Sequence, residues 1–206
     1  MSVRLIINPV SDEQRDVLRQ AVYCTKYLIP INTPIPGGKA ESLVGERDWQ
    51  ITTRRCASRQ ITVVWMDNYR FDEINVHDLF GYNGGYINTQ SIVWVIFPDG
   101  RDFYFTGDFE YFPQFHGIFN DLLVVQMKET VYCISTVNDL QVTQTFTLSQ
   151  ELGLYKIAEI SVNETGQFLL HVGYLPLSEV DYYDSYHNDS LSTIWETFEV
   201  DMALVY

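Results

Sequence analysis

The stretch Ser91-Ile92-Val93-Trp94-Val95-Ile96-Phe97-Pro98-Asp99-Gly100-Arg101-Asp102-Phe103-Tyr104-Phe105-Thr106 reads as two strands joined by one turn. The first arm belongs to a longer strand candidate running from Tyr86 to Phe97. β-branched and aromatic residues suit a pleated, half-buried surface. Pro98-Asp99-Gly100 supplies turn chemistry: a fixed φ, a short polar side chain and a residue tolerant of positive φ. The result is a β-hairpin, and it sets the expectation for the rest of the chain.

Other segments repeat the pattern. Trp49, Ile51 and Thr53 alternate with polar neighbours, and Ile61-Thr62-Val63-Val64-Trp65 is a β-branched run within Gln60 to Met66. Leu122 to Gln126 and Thr130 to Thr136 are two further runs. Val137-Asn138-Asp139-Leu140 turns the chain into Gln141 to Leu148. Leu154 to Val162 and Gln167 to Tyr174 flank Asn163-Glu164-Thr165-Gly166, a second hairpin signal. At the C-terminal side, Phe198, Val200, Met202, Leu204 and Tyr206 alternate with more polar positions, favouring a strand. Ile194, Phe198, Met202 and Val205 also fall at helical spacing, so a helical turn stays open there.

Upstream of the strands the period changes. Ser11 is suited to cap a helix, and Gln14, three positions on, completes a capping box. Asp12, Glu13 and Asp16 place negative charge where the helix dipole favours it. Val17, Leu18, Ala21, Val22 and Thr25 then follow at helical spacing until Pro30, which predicts a helix from Asp12 to about Leu28. Pro34, Pro36, Gly37 and Gly38 make the next segment an extended arm or loop. The expected organisation is residues 1–30 carrying an anchoring helix, an arm over 31–48, and a β domain over 49–206. One helix followed by a series of short strands with regular turns predicts an antiparallel β-sandwich of the jelly-roll or Greek-key kind.

Composition narrows the function. The 206 residues carry a formal charge of −14, with 27 acidic residues against only four lysines (Lys26, Lys39, Lys128, Lys156). Such a chain repels phosphates, so direct nucleic-acid binding is not expected. Arg54, Arg55 and Arg59 form the one basic cluster, suited to pairing with surface acids or to holding a phosphate. Cys24, Cys56 and Cys133 are odd in number and far apart, which predicts buried thiols in a reducing compartment. No apolar run reaches the length of a membrane span, and the apolar stretch in Met1 to Val10 is too short for a signal peptide.

The motif search yields little chemistry. His77, His116, His171 and His187 have no metal-type spacing. Gly37-Gly38-Lys39 lacks the first glycine and the hydroxyl residue of a phosphate loop, and Gly81, Gly84 and Gly85 lie between strands, not before a helix. Asp99, Asp102, Asp108 and Glu110 lie near aromatic residues, as a glycosidase needs, although packing aromatics with solvated acids is the simpler reading. Asp181-Tyr182-Tyr183-Asp184-Ser185-Tyr186-His187-Asn188-Asp189-Ser190 lacks the spacing of a calcium loop but suits a contact surface. Tyrosine offers rigid area plus a hydroxyl at low entropic cost.

The order of a helix at Ser11 to Leu28 before a β-rich stretch, with Ser91-Ile92-Val93-Trp94-Val95 leading to Asp99-Gly100, resembles the cypovirus polyhedrins. His187-Asn188-Asp189-Ser190 is similar to a segment of that family, although nearer the C-terminus here. The resemblance implies a structural protein, not an enzyme, that crystallises in the cytoplasm of an infected cell and embeds virus particles. It implies a homo-oligomer, by analogy a trimer, built into a lattice. Val17, Leu18, Tyr23 and Tyr27 on the helix, with Tyr182, Tyr183, Tyr186 and His187, are then the expected contacts between copies. Some members bind nucleotides; no residue here carries that site over, and no cofactor or metal is expected.

The charge pattern suits such a role. Tyrosine and lysine both titrate near a pKa of about 10. Fourteen tyrosines and four lysines would carry the formal charge from −14 to about −32 in strong alkali. Like charges would then face one another across tyrosine-rich contacts. The alternative is a soluble acidic module that masks a basic protein partner, which its charge would steer quickly.

Overall fold

The computed structural model describes residues 4–16, 18–19, 49–55, 60–68, 90–107, 113–137, 139–150, 152–176 and 193–205. Among them the protein is mainly β, with three small antiparallel sheets and one short helix. The chain divides into two compact units at residues 114 and 115.

The first unit holds strands β1 (Leu5–Pro9), β2 (Trp49–Arg55), β3 (Gln60–Asn68), β4 (Gln90–Ile96) and β5 (Asp102–Gly107). They form one sheet in the order β1-β5-β4-β3-β2. β2 to β5 run as a meander, while β1 skips its neighbour in sequence and pairs with β5, Leu5 opposite Gly107 and Pro9 opposite Phe103. The β4–β5 turn is the hairpin expected from Pro98-Asp99-Gly100. Gly100 N–H donates to Phe97 O at 3.1 Å, Phe97 N–H donates to Arg101 O at 2.9 Å, and Gly100 takes φ +90°. Register puts Ile61, Val63, Val93, Val95 and Phe105 on one face of the sheet, where all are buried. Val64, Trp94 and Tyr104 are buried on the other face, so this sheet is covered on both sides.

The helix, α1, is described at residues 12–16 and 18–19. Its start is the expected capping box: Gln14 N–H donates to Ser11 Oγ at 3.2 Å, and Ser11 N–H donates to Gln14 Oε1 at 2.9 Å. The remainder of the expected helix and the 31–48 arm lie outside the described residues.

The second unit holds β6 (Gln114–Phe119), β7 (Leu122–Met127), β8 (Thr130–Ser135) and β9 (Gln141–Thr147) in one sheet of that order. β10 (Leu152–Val162), β11 (Phe168–Pro176) and β12 (Ile194–Val200) form a second sheet in that order. One apolar cluster joins the two sheets: Leu122, Val124, Val131 and Cys133 meet Leu170, Val172, Tyr174 and Val200. Phe146 of β9 stacks on Phe198 of β12 with ring centroids 4.8 Å apart. The β10–β11 turn copies the β4–β5 turn. Gly166 takes φ +85°, its N–H donates to Asn163 O at 3.0 Å, and Asn163 N–H donates to Gln167 O at 2.9 Å. Here Asn163 Oδ1 also accepts from the N–H groups of Thr165 and Gln167.

Three features differ from the sequence expectation. β1 and β6 add strands where none was foreseen. At the C-terminal side the alternation holds only to Val200; Met202–Val205 is a 3-10 helix. Asp201 starts it, accepting from Ala203 N–H at 3.0 Å, while Met202 turns into the apolar cluster that a continued strand would have left.

Candidate functional site

Three groups of polar side chains stand out among the described residues. The first joins α1 to the sheet of the first unit. Asp102 opens β5 and is 5% exposed. Arg15 grips it with two parallel bonds, Nε to Oδ2 at 2.8 Å and Nη2 to Oδ1 at 2.7 Å. Trp94 Nε1 on β4 also donates to Oδ2, at 3.1 Å. Arg15 further donates to Val10 O and to Asp12, and Gln14 Nε2 donates to Tyr104 OH. A planar guanidinium against a carboxylate is the geometry that makes such pairs strong. The first turn of α1 is thus fastened to its own sheet.

Two of the four acids considered for glycoside chemistry are described. Asp102 is held by Arg15 and Trp94, and exposed Asp99 accepts from Arg101 Nε at 2.8 Å. Asp108 and Glu110 lie outside the described residues.

The second group lies at the rim of the shared cluster in the second unit. Glu196 of β12 takes three bonds on one oxygen, Oε1. Ser149 donates to it from its backbone N–H at 2.8 Å and from its hydroxyl, and Tyr174 donates its phenol. Tyr174 is fully buried. Burial first, and the Glu196 carboxylate second, push its phenol above the usual tyrosine range. For Glu196, burial alone would raise the pKa, but the bonds from Ser149 and Tyr174 outweigh it and lower it. The arrangement can hold one proton on the phenol and one charge on the carboxylate; it cannot hold a phenolate beside that charge at low cost.

The third group lies on the face of the β10–β11–β12 sheet opposite the cluster. His171 Nε2 is 2.7 Å from Ser161 Oγ, and its Nδ1 is 3.0 Å from Thr197 Oγ1. A serine–histidine contact raises nucleophilic catalysis, which also needs donors for an oxyanion. Ser161 and Val162 lie exposed at the end of β10.

Two further titratable residues are shifted by burial. His116 Nε2 donates to Gln126 Oε1 at 2.7 Å, and burial pushes its pKa down to about 4. Cys133 is buried, and burial pushes its thiol up to about 12, so it stays protonated and unreactive at neutral pH. Cys24, Cys56, His77 and His187 lie outside the described residues. Among the described residues no group of three His, Cys, Asp or Glu is placed to hold a metal, and no helix is long and apolar enough to cross a membrane.

Of the residues expected at contacts between copies, only Leu18 is described, and it is 2% exposed. Val17, Tyr23, Tyr27, Tyr182, Tyr183, Tyr186 and His187 lie outside the described residues. Arg54 and Arg55 end β2, opposite Ile61 and Gln60, and Arg59 lies outside the described residues. Sequence reasoning missed the Arg15–Asp102 and Tyr174–Glu196 pairs. Neither has a local signal, since the partners are 87 and 22 residues apart.

No family model matches this chain, and no curated protein and no solved structure matches it.

Proposed function

We propose that this chain is a structural protein that packs with copies of itself into a dense intracellular lattice which dissolves in alkali. The polyhedrin-like reading makes that lattice an occlusion body around virus particles in the cytoplasm of an infected cell. In this reading the antiparallel sheets make a sandwich of the Greek-key kind. The placement of β1 beside β5, and the cluster shared by two sheets, support it. The tyrosine-rich segment at 181–190 supplies contacts between copies, and a trimer is the building block.

The observation that carries the proposal is the phenol of Tyr174 resting on the carboxylate of Glu196. Tyr104, Tyr132 and Tyr174 are all buried in their own chain. Alkali therefore acts on the fold of each molecule as well as on contacts between molecules. Ionising Tyr174 sets two negative charges against each other at the edge of a core that joins two sheets. The lattice then loosens from within its subunits.

Expression of the untagged chain in insect cells tests this. Intracellular crystals or particles that persist at pH 7 and clear near pH 11 are the expected outcome. A chain that stays soluble and monomeric, or particles whose turbidity ignores pH 11, would overturn it. A soluble monomer that captures a basic protein would favour the acidic-inhibitor reading instead.

A further inference from the structure

Trp195 is the most conspicuous exposed aromatic residue among those described, at 49% exposure on edge strand β12. Its position is prepared by its neighbour. Register places it opposite Gly173 of β11. A Cβ on Gly173 would meet Trp195 Cη2 at 3.0 Å, Trp195 Cζ2 at 3.1 Å and Thr193 Cγ2 at 3.1 Å. The indole therefore lies across the gap that the glycine leaves and rests on the sheet, where any other residue at position 173 would lift it. One side of the ring covers backbone and the other meets water.

Beside this ring runs a row of polar side chains with fixed orientations. His171 is the next outward residue along β11, held at both ring nitrogens by Ser161 and Thr197. Beyond it come Leu169 and then Gln167, whose Nε2 donates to Glu199 Oε1 at 2.9 Å. Neighbouring strands stand about 4.8 Å apart, and successive outward residues about 6.8 Å apart. Several of these polar side chains therefore fall within reach of one bound molecule. Hydroxyl, imidazole, amide and carboxylate groups together can both donate to and accept from sugar hydroxyls. An aromatic face attracts the C–H side of a pyranose, because its quadrupole is negative there. Small-ligand sites combine such an apolar surface with a few placed polar groups. Glu159 and Glu199 lie on this face, which disfavours an anionic glycan.

We propose that Trp195 and the Ser161–His171–Thr197 row form a binding site for a neutral oligosaccharide. The site is independent of self-assembly. A bland role for Trp195, covering a glycine on a sheet surface, is the competing explanation, and the experiment separates the two. The full chain, dissolved or as washed particles, is titrated with cellohexaose and with chitohexaose, and with heparin as the anionic control. Saturable binding of at least one neutral hexasaccharide, with none of heparin, is expected. Trp195→Ala should weaken that binding about tenfold or more at unchanged circular dichroism. Gly173→Ala, which keeps the indole but lifts it, should weaken it as well. Thr197→Arg, at an exposed position, is the second route if the tryptophan variant fails to fold. No binding of either hexasaccharide by the unaltered chain overturns the proposal. So does full binding by Trp195→Ala or by Thr197→Arg, or binding of heparin alone.

Discussion

Tyr174→Phe should exchange stability at neutral pH for resistance to alkali. The substitution removes only the hydroxyl that rests on Glu196 and leaves the ring in its cluster. At pH 7 the loss of a bond to a charged acceptor costs about 1.5 kcal/mol or somewhat less, since Ser149 still serves Glu196. The sign in alkali follows from linkage. The folded-state pKa of Tyr174 is raised, so above the unfolded value of about 10 the folded chain keeps a proton that the unfolded chain has lost. Stability is full below that pH and falls as pH rises. For one displaced proton the loss between pH 9 and 11 is at most about 1.4 kcal/mol, reduced by solvent around half-buried Glu196. Other tyrosines ionise in both proteins, so the difference between the two isolates Tyr174. Urea unfolding followed by tryptophan fluorescence at pH 7, 9 and 11 reads it. The gap between the two proteins should shrink or vanish by pH 11. A gap that stays constant across this range would refute the argument that burial beside Glu196 makes Tyr174 an alkaline weak point.

Acid should act through His116, which burial keeps neutral down to about pH 4. Between its ordinary pKa of about 6.5 and that value the unfolded chain binds the extra proton, so stability falls as pH drops. His116→Gln should flatten this slope in urea titrations from pH 7 to 4. Gly100→Ala should cost about 1 kcal/mol and lower the melting temperature by several degrees. Its φ of +90° disfavours a side chain, although nothing lies within 4 Å of an added Cβ. Asp102→Ala should cost about 3 kcal/mol, because it strands Arg15 and the Trp94 N–H in a partly buried site. Amide exchange in the first turn of α1 should then speed up more than exchange in β7.

What was legible in the sequence was local. The capping box at Ser11 and Gln14, and the two hairpins closed by Gly100 and Gly166, depend on residues three or four apart. Their signals survive without knowledge of the rest of the chain. β1 was not legible, because Leu5-Ile6-Ile7 is short and its partner β5 lies about a hundred residues away. β6 was hidden by Gly117, at φ +153°, in a run also broken by His116. The turn at Met202 was hidden because Met202 and Leu204 continue the alternation of β12, while Asp201 quietly caps a new element. Among the candidate site residues, Asp102 was singled out by its neighbours in sequence and not by its partner. A carboxylate beside aromatic residues suggests chemistry, whereas its arginine partner lies on another element and shows only in three dimensions. Gly173 and Trp195 carry no motif at all. Their pairing is a matter of register, which neither residue announces.

The pairing of Leu5 with Gly107 has a consequence for the order in which the molecule is made. Synthesis adds roughly 5–20 residues per second, so the first strand leaves the ribosome roughly 5–20 s before the strand it needs. Throughout that interval its amides have no sheet to join, while β2 to β5 can zip hairpin by hairpin as they emerge. β1 is therefore the last edge sealed in its sheet, and a nascent chain halted before residue 102 should leave it open to protease.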